Sequence, residues 1–260
     1  LTVTGVQTCA LPISMNDCIA IFGAVKEEIA GIKQAMNISD RVRLDKTDAW
    51  PGKWKEQNIV LVRSGVGKQR AEDSVLQVID CFQPTALIST GYAGAVQPEL
   101  GVGDLVIADS ILEEGGEEGR KFSPDPNWLN RARGILFSEG TKIVVGGLLT
   151  VNNVIHEPAA KRELGKKFSV QAVEMETSAI ARVAEDKGLP LLSVRVISDS
   201  VEQELLDSSS FLGSDGEIST FKAGWYVLTH PCSLKSALSL RAQTQFATET
   251  LTRFLSDLLD

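Results

Sequence analysis

Residues 171–181, QAVEMETSAIA, place Glu174 and Glu176 on either side of Met175 inside a mostly apolar run. A second apolar run, SVRVISD, ends on Ser198 and Asp199, and a third, CIAIF, is soon followed by Glu27 and Glu28. Carboxylates this close to core-forming stretches have two uses. They settle helix N-termini, where the macrodipole favours acids and a side chain satisfies free N–H groups. They also accept hydrogen bonds from sugar hydroxyls and, when protonated, hand a proton to a leaving group. Taken singly, each of these acids fits the first use.

The elements around them decide what can meet. CIAIF (18–22) reads as a buried strand and KEEIAGIKQAM (26–36) as the helix after it. IVLVR (59–63) is a strand, and SGVG turns the chain into a helix from Lys68 to Phe82. ALIST (86–90) is a strand followed by a glycine-rich loop, GYAGAV; DLVIADSIL (104–112) and KIVVGGLLTV (142–151) are further strands. HEPAAKRELGKKF and METSAIARVAEDKG read as helices, the second ended by Gly188 with Pro190 beyond it. LLSVRVI (191–197) is a central strand, and residues 237–259 form a long amphipathic helix. Strands alternating with helices predict an α/β fold, a single domain with a mixed central sheet flanked by helices. In such sheets ligands bind beyond the carboxyl ends of the strands. Glu27 and Glu28, SGVGK, TGYAGA and Ser198–Asp199 all fall there, so features remote in sequence converge on one edge. The polar, turn-rich stretch 202–217 reads as an excursion near that edge.

Composition narrows the function classes. A chain of 260 residues, 43% hydrophobic and 23% charged, has an ordinary globular make-up with ample material for a core. A net charge of −8 argues against a broad nucleic-acid-binding surface, and no apolar run approaches the length of a membrane span. The four cysteines form no CxxC pair or disulfide-like spacing, and the two histidines, His156 and His230, do not point to a metal site. SGVGK lacks the GxxxxGK[ST] pattern and GYAGAV lacks GxGxxG, so neither loop indicates a nucleotide cofactor, and none is expected. The chain reads as reduced and cytoplasmic. Residues 1–14, LTVTGVQTCALPIS, carry neither charge nor a signal-peptide pattern. VTGVQTCALPI looks like a translated sequencing adaptor, so residues 1–14 are set aside as non-structural and the domain is taken as 15–260.

IAIFGAVKEEI, VRSGVGKQRA, ISTGYAGAV…LGVGDLVIAD and AVEMETSAIARVAEDKGLPLLSVRVISD resemble, in order and spacing, the nucleoside phosphorylase/nucleosidase superfamily. The likeness is greatest to the methylthioadenosine/S-adenosylhomocysteine nucleosidases and covers residues 18–201, with a weaker match in the C-terminal helix. The resemblance implies hydrolysis of the N-glycosidic bond of a purine nucleoside with a 5′-substituted ribose. It makes Asp199 the acid that protonates the purine at N7, which requires it to hold a proton near neutral pH. It makes Glu28 the group that deprotonates the attacking water. Glu176 would accept hydrogen bonds from ribose hydroxyls, with Met175 under the sugar and Glu174 and Ser198 beside them. Tyr92, Ala93 and Gly94 would form the loop near ribose and base, and Val154 and Ile155 the wall of the base pocket.

This chain departs from the pattern at Tyr92, where a small serine is usual, and at Val154, where an aromatic is usual. Both changes touch the pocket, which leaves the 5′ substituent open. The stretch from Glu202 to Leu234 is long for a compact nucleosidase and similar to nucleosidase-like proteins of hopanoid synthesis, which release adenine from an adenosyl-lipid. Trp225 and Tyr226 in it suit either a bulky substituent or ordinary packing. Phosphorolysis is the alternative chemistry, with Arg63 or Lys68 as phosphate ligand, and a non-catalytic nucleoside binder is the alternative class. The family resemblance also implies a homo-oligomer, a dimer being favoured, with a small nucleoside as its other partner.

Overall fold

The computed structural model describes residues 17–115, 120–137, 140–204 and 233–260. The segment 1–14 that the sequence sets aside lies outside them, as do Trp225, Tyr226 and the rest of the excursion from residue 205 to 232.

The core strand is β1, Cys18–Gly23, whose six residues are all buried. Burial on both faces is what a continuous apolar run in a parallel sheet provides for. β1 lies parallel to β5 (Gln57–Arg63) on one side and to β6 (Ala86–Ala95) on the other. β6 continues parallel to β11 (Leu191–Asp199), which runs antiparallel to β7 (Leu105–Glu113). β7 is parallel to β9 (Ile143–Thr150), and β9 to β10 (Ala172–Glu174). β10 then pairs antiparallel with β6, which closes β6, β11, β7, β9 and β10 into a ring. Beyond β5 the sheet extends antiparallel through β4 (Thr47–Trp54), which carries the short strands β2 (Asn37–Ile38) and β3 (Val42–Leu44); β8 (Lys121–Phe122) pairs with β7. The mixed sheet expected from the sequence is thus present.

Helices cover both faces. α2 (Lys68–Phe82) and α5 (Thr177–Lys187) pack together over one core through Val75, Val78, Ile180 and Val183. α1 (Lys26–Ala35) and the C-terminal helix α6 (Ser233–Leu258) cover the other, with Ile29 and Ile32 meeting Leu251, Phe254, Leu255 and Leu258. Each such side chain, fully buried, contributes roughly 1.5–3 kcal/mol, which holds α6 in place across the sheet. α3 (Pro126–Arg133) is capped by the Asp125 carboxylate, and α4 (Pro158–Phe168) follows β9. α5 stops where the sequence predicts, at Gly188 with φ +65°.

One reading changes. GYAGAV is largely not a loop, because residues 91–95 continue β6 and pair with β11 and β10. Residues 37–54, to which the sequence analysis assigns no element, form the antiparallel extension. Cys18 is a free, buried thiol.

Candidate active site

Glu28 is the third residue of α1 and only 5% exposed. Its side chain curls back so that Oε2 accepts from the Ala24 and Val25 N–H groups at 2.6 and 3.0 Å. That is the service a helix N-terminus asks of an acid at this position. The other oxygen does something a cap does not need: Oε1 accepts from the Tyr92 N–H of β6 at 2.8 Å. The approach is close enough that a Cβ on Gly91 would lie 2.4 Å from Glu28 Oε1, and Gly91 has φ +137°. A glycine is required there on both counts. Burial pushes the Glu28 carboxyl up, while Arg195 and the three N–H donors pull it down; the net direction is upward.

Arg195, in the middle of β11, is 1% exposed. Its Nη2 donates to Glu174 Oε2 at 2.7 Å, Thr177 Oγ1 at 2.7 Å and Ser89 Oγ at 3.0 Å. Its Nη1 lies 4.0 Å from Glu176 Oε2, and a Cβ on Gly91 would be 2.7 Å from Nη1. Among the described residues neither Nη1 nor Nε has a hydrogen-bond partner. Glu174 also takes the Glu176 and Thr177 N–H groups and the Thr150 and Thr177 hydroxyls, so both of its oxygens are spent inside the fold. Glu176, at the N-cap of α5, accepts the Gly67 N–H at 2.8 Å. Burial, and after it the Glu174 charge, pushes its carboxyl up to about 8, with Arg195 opposing. Sequence reasoning passed over Arg195. The signal was there, since a lone arginine in a central apolar strand must be paired.

Asp199 ends β11 three residues of β6 further along. The pairing of β11 with β6 slips between Ile197 and Asp199, which sets Ser198 out of register and brings Asp199 opposite Gly94. Such a bulge re-aims the side chain that follows it. A Cβ on Gly94 would stand 3.0 Å from Asp199 Oδ2. Ser198 Oγ donates to Asp199 Oδ1 at 2.7 Å and reaches the Ala93 carbonyl at 3.4 Å. Lys161 of α4, 1% exposed, donates to Asp199 Oδ2 at 2.5 Å and to the Ser200 and Gln203 carbonyls at 3.1 Å. Lys161 was also missed, and nothing in HEPAAKRELGKKF distinguishes it from Lys166 and Lys167.

Met175 lines a cavity of 360 Å³ together with Val66, Gly67, Lys68, Val151 and Asn152, next to the Gly67–Glu176 contact. Val154 and Ile155 are half-buried in the segment after β9. Tyr92 offers its backbone N–H to Glu28, but its hydroxyl meets Thr248 Oγ1 of α6 at 2.5 Å. The ring therefore ties β6 to α6. Arg63 is engaged by Asp48 Oδ2 at 2.5 Å, with Arg41 and Arg43 on the same carboxylate, and Lys68 by Glu113 at 2.7 Å.

The sequence profile of the phosphorylase superfamily matches residues 18–219. The 5′-methylthioadenosine/S-adenosylhomocysteine nucleosidase of Listeria welshimeri is 32% identical over 204 residues, 72% of this chain and 88% of that protein. The structure superposes on the enzyme of that name from Neisseria meningitidis, in complex with methylthio-immucillin-A, with a TM-score of 0.74 at 22% identity, covering 94% of this chain and 99% of that one. It superposes equally on the futalosine hydrolase of Helicobacter pylori, with a TM-score of 0.74 at 19% identity, covering 94% and 97%. At those identities the two structures speak for the fold.

Proposed function

Because the chain belongs to the phosphorylase superfamily, we propose that it is a nucleosidase hydrolysing the N-glycosidic bond of an adenine nucleoside with a 5′-substituted ribose. One observation carries the reading: Glu28 with Arg195 at Gly91, and Asp199 with Ser198 at Gly94, stand at two points of β6. Three residues of strand separate those points by about 10 Å. In this reading the purine, the anomeric carbon and the attacking water lie between the acid and the base.

In this reading the water donates a proton to the Glu28 carboxylate as its oxygen bonds to C1′. The C1′–N9 bond breaks, its electrons pass to the purine, and Asp199 gives a proton to N7. A Glu28 carboxyl raised above its ordinary value is a stronger base, suited to work near neutrality. Arg195 Nη1, with no hydrogen-bond partner among the described residues, is placed to hold the water or the sugar oxygens beside Glu28. Glu176 accepts from ribose hydroxyls. Water is favoured over phosphate because Arg63 and Lys68 already hold carboxylates.

The relatives' names make 5′-methylthioadenosine and S-adenosylhomocysteine the first substrates to assay, which would place the enzyme in nucleoside catabolism and methionine salvage. We extend the proposal to a cytoplasmic homodimer, read by fractionation and light scattering. A panel adding inosine and an adenosyl-lipid mimic, run with and without phosphate, tests the chemistry. Free adenine and free sugar at equal rates in both buffers are expected. Ribose-1-phosphate products would overturn hydrolysis, and binding with no base release would leave a nucleoside-binding protein.

A further inference from the structure

Lys161 belongs to none of the roles above, and its position is costly. Taking an ammonium out of water costs several kcal/mol unless every proton on it finds an acceptor. Here three acceptors are supplied: Asp199 Oδ2 at 2.5 Å and the carbonyls of Ser200 and Gln203, both at 3.1 Å. All three lie in five consecutive residues, 199–203, at and just past the end of β11. The lysine therefore fastens α4 to the one carboxylate that the proposed reaction needs as an acid.

We propose that Lys161 is a positioning residue for the general acid. The ammonium occupies Oδ2, so the two carboxyl oxygens are not equivalent. Oδ1 is left as the edge for substrate, with the Ser198 hydroxyl its one hydrogen-bond partner among the described residues, at 2.7 Å. A hydroxyl can turn from donor to acceptor, so Ser198 tolerates Oδ1 with or without a proton. When the O–H bond at Oδ1 breaks and the N7–H bond forms, the carboxylate left behind already has a cation beside it. Lys161 thus holds the acid in one rotamer and stabilises the charge that appears on it as the purine departs.

The inference rests on Asp199 as the proton donor, and the experiment separates the two ideas. Full-length wild type, Lys161→Met, Asp199→Asn and the double variant are assayed on 5′-methylthioadenosine and on the 5′-methylthioriboside of p-nitrophenol, whose leaving group departs without protonation. Lys161→Met should lower kcat on methylthioadenosine on the order of 10-fold or more, a part of what a general acid supplies. KM should stay within about 3-fold, and the drop on the nitrophenyl riboside should be about 10-fold smaller. The double variant should be no slower than Asp199→Asn alone. Should Lys161→Met fail to fold, Lys161→Arg keeps the charge, moves the donors, and should show the same preference for the activated substrate. Wild-type kcat in a folded Lys161→Met, or an equal loss on both substrates, overturns the positioning role while leaving Asp199 as the acid. Near wild-type turnover by Asp199→Asn overturns the acid itself, and Lys161 then fails with it.

Discussion

Two buried charge clusters sit a few residues apart on the same strands and are composed differently. Around Arg195 gather Glu28, Glu174 and Glu176, so three carboxylates act on one guanidinium. Around Lys161 there is Asp199 alone among the described side chains, so one carboxylate faces one ammonium. Burial is similar, with Glu28, Glu176 and Asp199 each 5–6% exposed. The Arg195 cluster carries surplus negative charge, and Glu28 and Glu176 both hold protons more tightly than ordinary carboxylates. The charge count of the neighbourhood, added to burial, sets what each acid can do.

The largest effect should come from removing the cation that three acids share. Arg195→Met leaves Glu174 with four donors but no charge partner, and should cost about 3–5 kcal/mol of stability; urea unfolding reads it. Asp199→Asn is nearly isosteric and should keep the fold while cutting kcat by ~10²-fold or more, about 3 kcal/mol in barrier. Steady-state turnover on the best substrate decides this, and a folded variant with wild-type kcat would make Asp199 a structural cap.

A smaller effect exposes the surplus charge through pH. Glu176 titrates at about 8 in the fold against an ordinary 4.5, so the native state binds its proton more tightly than the unfolded chain. The stability this confers is present below pH 4.5 and is lost as pH rises through 8. Glu176→Gln should flatten that slope in melting temperatures taken from pH 5 to 9, while lowering kcat/KM by roughly 10-fold through weaker bonds to ribose. An unchanged slope would show that the shared proton sits elsewhere in the cluster. The least effect should be at Arg63→Gln, because Asp48 keeps Arg41 and Arg43. A loss of about 1 kcal/mol or less is expected, with turnover equally indifferent to phosphate.

Much of this could be read from the chain. CIAIF and LLSVRVI announce buried strands by unbroken apolar runs, and Gly188 with Pro190 stops α5 as local sterics require. The acids Glu28, Glu176 and Asp199 stood out because each lies close to an apolar run, and strand ends converge on one edge. The edge strands from residue 37 to 54 did not stand out, since half-polar antiparallel strands share their composition with loops.

Hydrophobic period, glycine stereochemistry and chain order act locally, and they suffice to set the elements and the acids at their ends. The partners of those acids are fixed by how the elements pack. Glu174 and Glu176 are two residues apart, yet Glu174 is consumed by Arg195 and two threonines while Glu176 keeps an oxygen without a hydrogen bond from described residues. Glycines 91 and 94 belong to a strand because β10 and β11 pair with them. Of the lysines on α4, Lys161 turns inward because the helix docks against the end of β11. Charges are paired across the fold, between groups 21 to 38 residues apart in the chain, and no local rule reports which pairs will meet.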